Sequence, residues 1–535
     1  MRMRSVAILA AAAALIFAPR ALAENRQVAV VPYIEVSQAF FADLKNDGEV
    51  LTYTTLTGGV DASIRTRRTE VQINYRYDYR FSWNRDQGDS QLHSGIARAR
   101  YVAVPDLLSL EAGALATRTR IDIRGDAPNV FIGSDTANTT QLYSVYAGPT
   151  LVTNVGELQI GAAYRFGYTK VESRARVGLI GNQPLLDIFD ASTSHLASAS
   201  VGMRPASLPL GWTISTGVER EGARQLDQRF ESMFVRGDIV VPMTESVAVV
   251  GGIGFEDIEA SQRDALRDAN GAPVLDGDGR FQTDPASPRS LAFDQSGFIW
   301  DTGVVWRPSP RTSAEFRVGQ RYGGMTYTGS ISHRLSDRMA FQARLYDGIQ
   351  TFGRQLNQSL AALPTQFTVA RNPFGNQVGG CIYSVNSGGA CLDSALQSVA
   401  TGTFRARGLN TVMTYERGPL RVGIGGGYAQ RRFFAPAGVF FSTNGITDES
   451  YYAQAFLARQ LNELSSVDAS VYASLYDSGI VDAPNVLGTG ATAAYYRRFG
   501  NRFTGTAALG LYSSRVENVT SSLTGSALLG AKYEF

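Results

Sequence analysis

Segments in which apolar and polar side chains alternate recur along this chain from about residue 28 to the last residue, Phe535. Successive side chains of a β-strand point to opposite faces, so each segment predicts a strand with one apolar and one polar face. The stretch VQINYRYDYRFSW at 71–83 is apolar at every odd position, whereas Arg76, Asp78 and Arg80 occupy the opposite face. The segments are roughly 10–14 residues long, come in pairs and number about 22.

The connections between these segments alternate between short and long. Short ones include 105–106, 153–156, 242–245 and 500–501, and the long polar ones are 121–140, 171–193, 258–296, 350–403, 434–449 and 477–488. A membrane barrel has short turns at one end and long loops at the other, whereas a soluble β-sandwich has no reason to sort its loops in this way. The sequence therefore predicts an all-β fold, a transmembrane up-and-down antiparallel β-barrel of about 22 strands, within a range of about 18–24.

The final segment, SSLTGSALLGAKYEF, ends the chain on an aromatic residue. Its apolar face consists of Leu523, Ala527, Leu529, Ala531, Tyr533 and Phe535. A terminal strand that ends on Phe resembles the signal by which the insertion machinery of bacterial outer membranes recognises its barrels. We therefore expect Tyr533 and Phe535 to belong to an insertion signal.

Residues 1–23 have the pattern of a Sec-type signal peptide. They combine early arginines, an apolar run over 6–18 and the small-x-small ending Ala21-Leu22-Ala23. The apolar run is shorter than the roughly 18 residues that a spanning helix needs. We expect residues 24–535 to form one integral barrel of the bacterial outer membrane, with long outer loops at 258–296 and 350–403.

The formal charge of the chain is close to neutral. It is +2 for the whole chain, and the signal contributes three arginines and no acids, so the mature chain carries about −1. Nucleic-acid-binding domains usually have a strong basic excess. The charge therefore argues against nucleic acid as a partner.

The only two cysteines, Cys381 and Cys391, lie in GGCIYSVNSGGAC. A close pair flanked by glycines in an exported chain predicts a loop disulfide. A metal pair is the alternative, although two sulfurs without nearby His or further Cys do not complete a tetrahedral site. The surrounding loop, 350–403, is long enough to fold inward and narrow the lumen, or to remain outside as a surface loop or cap.

Rows of arginine with occasional acids occupy the polar faces of several segments. The candidates for lumen charges are Arg76, Asp78, Arg80, Glu315, Arg317, Arg321, Arg405, Arg407 and Arg421. Such rows could guide an acidic polymer by charge-assisted contacts. In the alternative interpretation the arginines pair with acids and only stiffen the wall of a water-filled lumen.

Three stretches, GFIWDTGVVWRPSPRTS (297–313), RVGQRYGGMTYTGS (317–330) and GGVDASIRTRRTEVQINYRYDYR (58–80), resemble a family of outer-membrane β-barrels. These barrels occur in sphingomonad-like proteobacteria and are associated with exosortase/PEP-CTERM exopolysaccharide loci. The similarity runs along most of the mature chain and is densest around the RPSPRT turn. It implies a role in exporting or organising surface polysaccharide, and it carries over no catalytic or binding residue.

A channel or exporter component is the function we expect first, because a barrel of about 22 strands is wide enough for an open or a plugged lumen. Strand-like sequence starts within a few residues of Glu24, so no separate plug domain is expected at the N-terminus. The alternative is a structural or adhesive barrel whose outer loops bind a partner. Expected partners are outer-membrane lipid and lipopolysaccharide, the barrel-insertion machinery, and polysaccharide or its export machinery.

Catalysis is not expected from this chain. Its histidines are His93, His195 and His333, and Ser94 is adjacent to His93, so those two side chains point to opposite faces of a strand. The stretch DANGAPVLDGDGR at 268–280 lacks the distal Glu of a calcium loop and favours a hairpin turn at Asp278-Gly279. We expect no catalytic residue, no cofactor and no metal site. The Gly-rich GIGGGY at 423–428 predicts close packing or curvature in the barrel wall.

Overall fold

One antiparallel sheet of 22 strands dominates the computed structural model of the chain, and it closes into a barrel because its first strand pairs with its last. The structure describes residues 27–45, 50–83, 88–121, 138–172, 187–205, 208–370, 372–374, 380–386, 388–399, 401–436, 443–480, 483–518 and 520–535. The predicted signal peptide at 1–23 lies outside these ranges. The predicted fold class, a transmembrane antiparallel barrel of about 22 strands, is confirmed.

The barrel strands follow one another around the ring in chain order. They are β1 (Gln27–Asp43), β2 (Leu51–Arg65), β3 (Thr69–Ser82), β4 (Ser90–Val104), β5 (Leu108–Arg120), β6 (Thr139–Val155), β7 (Leu158–Glu172), β8 (Ala191–Met203), β9 (Gly211–Ala223), β10 (Gln228–Pro242), β11 (Val247–Gln262), β12 (Ser290–Ser309), β13 (Thr312–Arg321), β14 (Gly324–Ser336), β15 (Met339–Thr351), β19 (Thr403–Arg417), β20 (Leu420–Phe434), β21 (Thr447–Asn462), β22 (Ser465–Asp477), β23 (Val486–Phe499), β24 (Phe503–Val516) and β25 (Thr520–Glu534).

The alternation in the sequence sorts side chains between the outside and the inside of the barrel. On β11, Ile253 and Phe255 are 61% and 55% exposed, whereas Glu256 and Ile258, which face the lumen, are buried. The same outward apolar face recurs on most strands, as with Val235 of β10. A barrel wall that is apolar outside and polar inside matches lipid on one side and a polar lumen on the other. The protein is therefore an integral β-barrel of the outer-membrane type.

No helix within the described ranges is long and apolar enough to cross a bilayer.

Tight turns join the strands at one end of the barrel. Gly156 and Gly500 adopt positive φ angles of 61° and 70° in the β6–β7 and β23–β24 turns. Glycine reaches this region without the penalty that a Cβ atom imposes. The short connections predicted from the sequence therefore correspond to turns at one end, which we take as periplasmic.

The two long loops are slightly shorter than predicted, because their flanking strands extend further. The loop predicted at 258–296 comprises residues 263–289, and the one predicted at 350–403 comprises residues 352–402. In the first, side-chain oxygens of Asp268 and Asp276 accept backbone N–H groups two and four residues later. These aspartates close tight turns, as the hairpin interpretation expected, and do not converge on one point.

Residues 352–402 are called the inner segment below. Its described residues, 352–370, 372–374, 380–386, 388–399 and 401–402, do not stay outside. They form helix α1 (Phe352–Ala361) and the short strands β16 (Thr368–Val369), β17 (Cys381–Ser384) and β18 (Gly388–Cys391), which make a separate three-stranded sheet. Both pieces pack against the inner face of the barrel. Of the positions predicted for this loop, the inward fold is the one observed.

Candidate functional site

Helix α1 is fixed to the wall by one apolar face. Phe352, Leu356 and Leu360 recur every fourth residue, so they lie along one side of the helix. All three are buried. They pack in one cluster with Leu142 and Val171 from the inner faces of β6 and β7. Burial of these side chains favours the docked position by removing apolar surface from water.

Polar residues of α1 find partners on the wall. Arg354 forms an ion pair with Glu219 of β9. The side chain of Asn357 accepts a hydrogen bond from Ser144 at 3.1 Å and donates one to Thr169 at 3.3 Å. Because a buried polar group without a partner costs about 1–3 kcal/mol, these bonds make the docked position specific.

The hairpin β17–β18 carries the disulfide. Cys381 and Cys391 face each other in the register of the hairpin, and their sulfurs are bonded. Asp393 brings a carboxylate within 4.8 Å of both sulfurs. Bonded sulfurs offer no thiolate to a metal, so this group is not a metal site. Since both cysteines belong to the same hairpin, the bridge stiffens it but does not tie it to the wall.

The wall accommodates this hairpin with glycines on β20. A Cβ atom built on Gly423 would lie 2.6 Å from the ring of Tyr383, and one on Gly425 would lie 2.8 Å from the Cβ of Cys381. Real Cβ atoms do not approach other atoms so closely. The Gly-rich stretch at 423–428 thus provides the close packing that was one of its two predicted roles. Gly423 and Gly425 pack against the inner segment, whereas Gly426 and Gly427 pack against neighbouring wall strands.

A third part of the inner segment reaches a different side of the wall, at β1, β3 and β24. The carbonyl oxygen of Phe374 accepts a hydrogen bond from Arg80 of β3 at 3.2 Å. The ring of Phe374 meets those of Phe41 and Tyr512 edge-on, with centroids 5.9 and 6.3 Å away. The inner segment therefore contacts β1, β3 and β24 as well as β6, β7, β9 and β20, so it spans the lumen.

A buried ion pair holds the outer end of the segment. Arg431 of β20 and Asp448 of β21 are 1% and 3% exposed, with Arg431 Nε 3.0 Å from Asp448 Oδ1. Arg431 Nη2 also donates to the hydroxyl oxygen of Ser398 at 2.7 Å. The guanidinium thus links two wall strands to the inner segment.

Asp393 is a buried acid of the inner segment. Its Oδ2 atom has no hydrogen-bond partner among the described residues. Tyr383, Tyr452 and Tyr476 are close enough to interact with its charge. Burial raises the pKa of Asp393 to about 7. Docking of the segment therefore favours the protonated acid.

A cavity of about 390 Å³ lies inside the barrel along β9–β15. Arg236, Asp238, Asp301 and Arg317 project into it. Arg317 Nη1 lies 2.7 Å from Asp238 and 3.0 Å from Asp301, while Arg236 bonds to both carboxylates as well. This part of the lumen is lined by ionic groups that neutralise one another.

The predicted lumen charges are mostly paired in the same way. Arg76 bonds to Glu35 and Asp78, and Arg317 also bonds to Glu315 at 2.6 Å. Arg321 pairs with Glu256. This arrangement favours the interpretation in which arginines and acids stiffen the wall, rather than a row of guanidinium groups that guides an acidic polymer.

Three predicted arginines have other surroundings. Arg421 is exposed near the turn that joins β19 to β20. Arg405 and Arg407 do not share the face of β19 on which Phe404 and Ala406 pack in the lumen. They lie on its other face and pair with Asp347, because neighbouring residues of a strand point in opposite directions.

The C-terminal aromatics lie at the periplasmic rim. Tyr533 accepts a hydrogen bond from Arg502, and its ring centroid lies 5.3 Å from that of Phe535. Phe535 is 64% exposed, and its N–H bonds to the carbonyl oxygen of Pro32. Their role as an insertion signal remains a prediction.

The histidines lie apart from the inner segment. His93, His195 and His333 bond through Nδ1 to the hydroxyls of Tyr75, Tyr164 and Thr312 at 2.7, 2.8 and 2.7 Å. Ser94 is buried, on the face of β4 opposite to His93.

Among solved structures, the chain shows distant similarity to an import receptor, a siderophore receptor and an iron transporter. It is 13% identical to the ferric-catecholate import receptor Fiu of E. coli K12 in its open form, with a TM-score of 0.44 over 94% of this chain and 81% of that one. The siderophore receptor PiuA of Acinetobacter baumannii is 10% identical, with a TM-score of 0.41 over 94% of this chain and 82% of that one. The FrpB iron transporter of Neisseria meningitidis is 10% identical, with a TM-score of 0.42 over 94% of this chain and 82% of that one. No protein-family model and no curated protein match the chain.

These similarities are too distant to assign an activity. The exosortase/PEP-CTERM resemblance likewise stays a hypothesis.

Several residues of this site could not be identified from the sequence. Glu219, Arg354, Asn357 and Arg431 depend on partners in other elements, as with Arg354 and Glu219, which are 135 positions apart in the chain. Asp393 is distinguished only by its burial. The sequence carried only a weak signal for these residues. Polar residues within an inward-folding loop need partners on the wall, but the sequence does not say which wall residue each one meets.

Proposed function

We propose that the protein is an outer-membrane channel whose lumen is closed by its own inner segment and that conducts when this segment leaves the wall. The observation that carries this proposal is the position of residues 352–402, which reach from α1 on β6 and β7 to Phe374 beside β1 and β24. A barrel of 22 strands encloses a wide lumen that must be filled or narrowed to prevent leakage. A helix and a small sheet supplied by one loop would do this.

Surface polysaccharide is the cargo that the family resemblance suggests, and we retain it as a hypothesis. Pairing of the wall charges supports a neutral or weakly charged polymer better than a strongly acidic one. An acidic polymer would have to compete with Asp238, Asp301 and Glu315 for the guanidinium groups that they already hold.

The test replaces the inner segment with a two-residue turn. Thr351 and Thr403 are paired across β15 and β19, so Asn-Gly in place of 352–402 would close a regular hairpin. A matched control replaces the outer loop 263–289 with the same turn, because Gln262 and Ser290 are also paired. We expect large, steady conductance steps in planar bilayers only from the first variant, with the unaltered protein nearly silent.

Folding is checked separately by the heat-dependent mobility of the barrel on SDS gels. A folded variant that lacks the inner segment and remains silent would overturn the channel proposal. That result would favour the alternative, a structural or adhesive barrel, whose partner binding should then be lost in the 263–289 variant.

A further inference from the structure

The seam between β14 and β15 is open over its outer part. Backbone pairing runs from Ser336 and Met339 only as far as Gly329 and Leu345. Residues 324–328 of β14 and 346–351 of β15 therefore lack each other as partners. β15 nevertheless stays paired with β19 up to its last residue, Thr351.

The outer end of β15 leaves the line of the wall. Ala340 faces the lumen, so the alternation would direct Ile349 outward. Ile349 is instead buried in a cluster with Phe230 and Ile258, which lie on the inner faces of β10 and β11. β15 must therefore bend inward beyond Leu345, and this bend separates it from β14.

Two arginines occupy the gap. Arg405 and Arg407 donate to the carbonyl oxygen of Met325 at 3.0 and 3.2 Å. Both also bond to Asp347, at 2.8 and 3.1 Å. Two guanidinium groups thus share one carboxylate, which leaves a local excess of positive charge at the seam, and Arg407 is 42% exposed there.

The seam between β4 and β5 provides a comparison, because a side chain closes the gap there. Pairing between β4 and β5 also stops early, at Gly95 and Ala116. There the side-chain amide of Gln141 enters the gap, accepts a hydrogen bond from His93 N, and donates to the carbonyl oxygens of His93 and Thr117. It bonds to the backbones of both strands, as a peptide group would. The arginines of the β14–β15 seam bond to the backbone of β14 but reach β15 only through the carboxylate of Asp347.

The open seam adjoins both the membrane and the charged cavity. Met325 and Tyr327 of β14 are 44% and 49% exposed on the outside. Thr326 and Thr328, which alternate with them, line the cavity together with Asp347. A molecule at the seam could therefore lie with one part against lipid and another in the lumen.

We propose that the β14–β15 seam is a lateral portal that binds an anionic, phosphate-bearing lipid of the outer leaflet. The phosphate meets Arg405 and Arg407, whose guanidinium forks suit its geometry and charge. The acyl chains lie along Met325 and Tyr327 in the bilayer. This inference does not depend on movement of the inner segment.

The test uses the full mature barrel in phosphatidylcholine vesicles, with bimane attached at Tyr327→Cys. Phosphatidic acid or phosphatidylcholine with brominated chains is then added as the quencher. We expect phosphatidic acid to quench at a several-fold lower mole fraction than phosphatidylcholine. The double variant Arg405→Gln, Arg407→Gln should lose this preference. Arg432→Gln, which removes an exposed arginine of β20, should retain it.

Equal quenching by the two lipids would show that only ordinary surrounding lipid touches the seam and would overturn the proposal. A second variant, Asp347→Asn, guards against misfolding of the double variant. It keeps both guanidinium groups and removes their shared carboxylate, so phosphatidic acid should bind more tightly. Unchanged or weaker binding by this variant would also contradict the proposal.

Discussion

Gly425 of the barrel wall lies against Cys381 of the inner segment with no room for a side chain between them. A Cβ atom on Gly425 would be 2.8 Å from the Cβ of Cys381 and 3.3 Å from the sulfur of Cys391. The wall and the hairpin are therefore complementary at the level of single atoms. Changes at this contact should act on docking of the segment rather than on the barrel.

Gly425→Val should displace the inner segment. Overpacking of a filled site costs about 1–3 kcal/mol, which shifts a docked–undocked equilibrium by about tenfold. We expect more frequent channel openings in planar bilayers. Gly58→Val is the matched control, because a Cβ atom there meets nothing within 4 Å. Equal conductance of the two variants would show that Gly425 does not control docking.

Arg431→Met should destabilise the docked segment strongly. It leaves Asp448 buried without its partner, and breaking a buried ion pair costs about 3–5 kcal/mol. The second change Asp448→Asn should recover part of this loss. The measurement is the rate of proteolysis within residues 352–402 of the reconstituted protein. Arg421→Met, at an exposed position of the same strand, should leave that rate unchanged.

Docking should weaken as pH rises. Burial raises the pKa of Asp393 from its ordinary 3.8 to about 7 in the docked state, so the docked state binds the proton more tightly. Docking is strongest below about pH 4, weakens as pH rises towards 7 and is constant above it. Channel openings should therefore be more frequent at pH 8 than at pH 5.

Asp393→Asn should flatten this pH profile. Burial also raises the pKa of Asp187 to about 7, and its backbone carbonyl accepts the N–H of Thr401. A remaining slope in the Asp393→Asn variant would be assigned to Asp187 by adding Asp187→Asn. An opening frequency that rises towards low pH would contradict the prediction that docking weakens as pH rises.

Removal of the disulfide should not open the channel. Cys381 and Cys391 lie on adjacent strands of one hairpin, so Cys381→Ser with Cys391→Ser leaves the wall contacts of Phe374, Asn357 and Ser398 in place. The loop closed by the bridge is short, so we expect a loss of about 2–3 kcal/mol in hairpin stability. Measurement of conductance with and without reductant checks whether loss of the bridge opens the channel. Steady openings on reduction would mean that the bridge itself controls docking.

The sequence alone indicated the barrel, its strand number and the long 350–403 loop, and it left open whether that loop folds inward. These features rest on information local to the chain, as the alternation in β3 and the length of the 350–403 loop show. The pairing register of the inner segment was inaccessible, because Arg354 could meet any acid on the inner face of the wall. Arg405 and Arg407 show the same limit. Alternation predicts which face of a strand each residue occupies, but it does not predict where the strand bends.

What the sequence by itself determined is which face of each strand is apolar and on which side the connections are long, because a two-residue period and turn chemistry act between near neighbours. Only the tertiary structure decided that the inner segment docks against Gly423 and Gly425, that most of the predicted lumen arginines pair with acids, and that β15 parts from β14. These outcomes depend on contacts between residues far apart in the chain, whose partners are selected by the closed shape of the barrel.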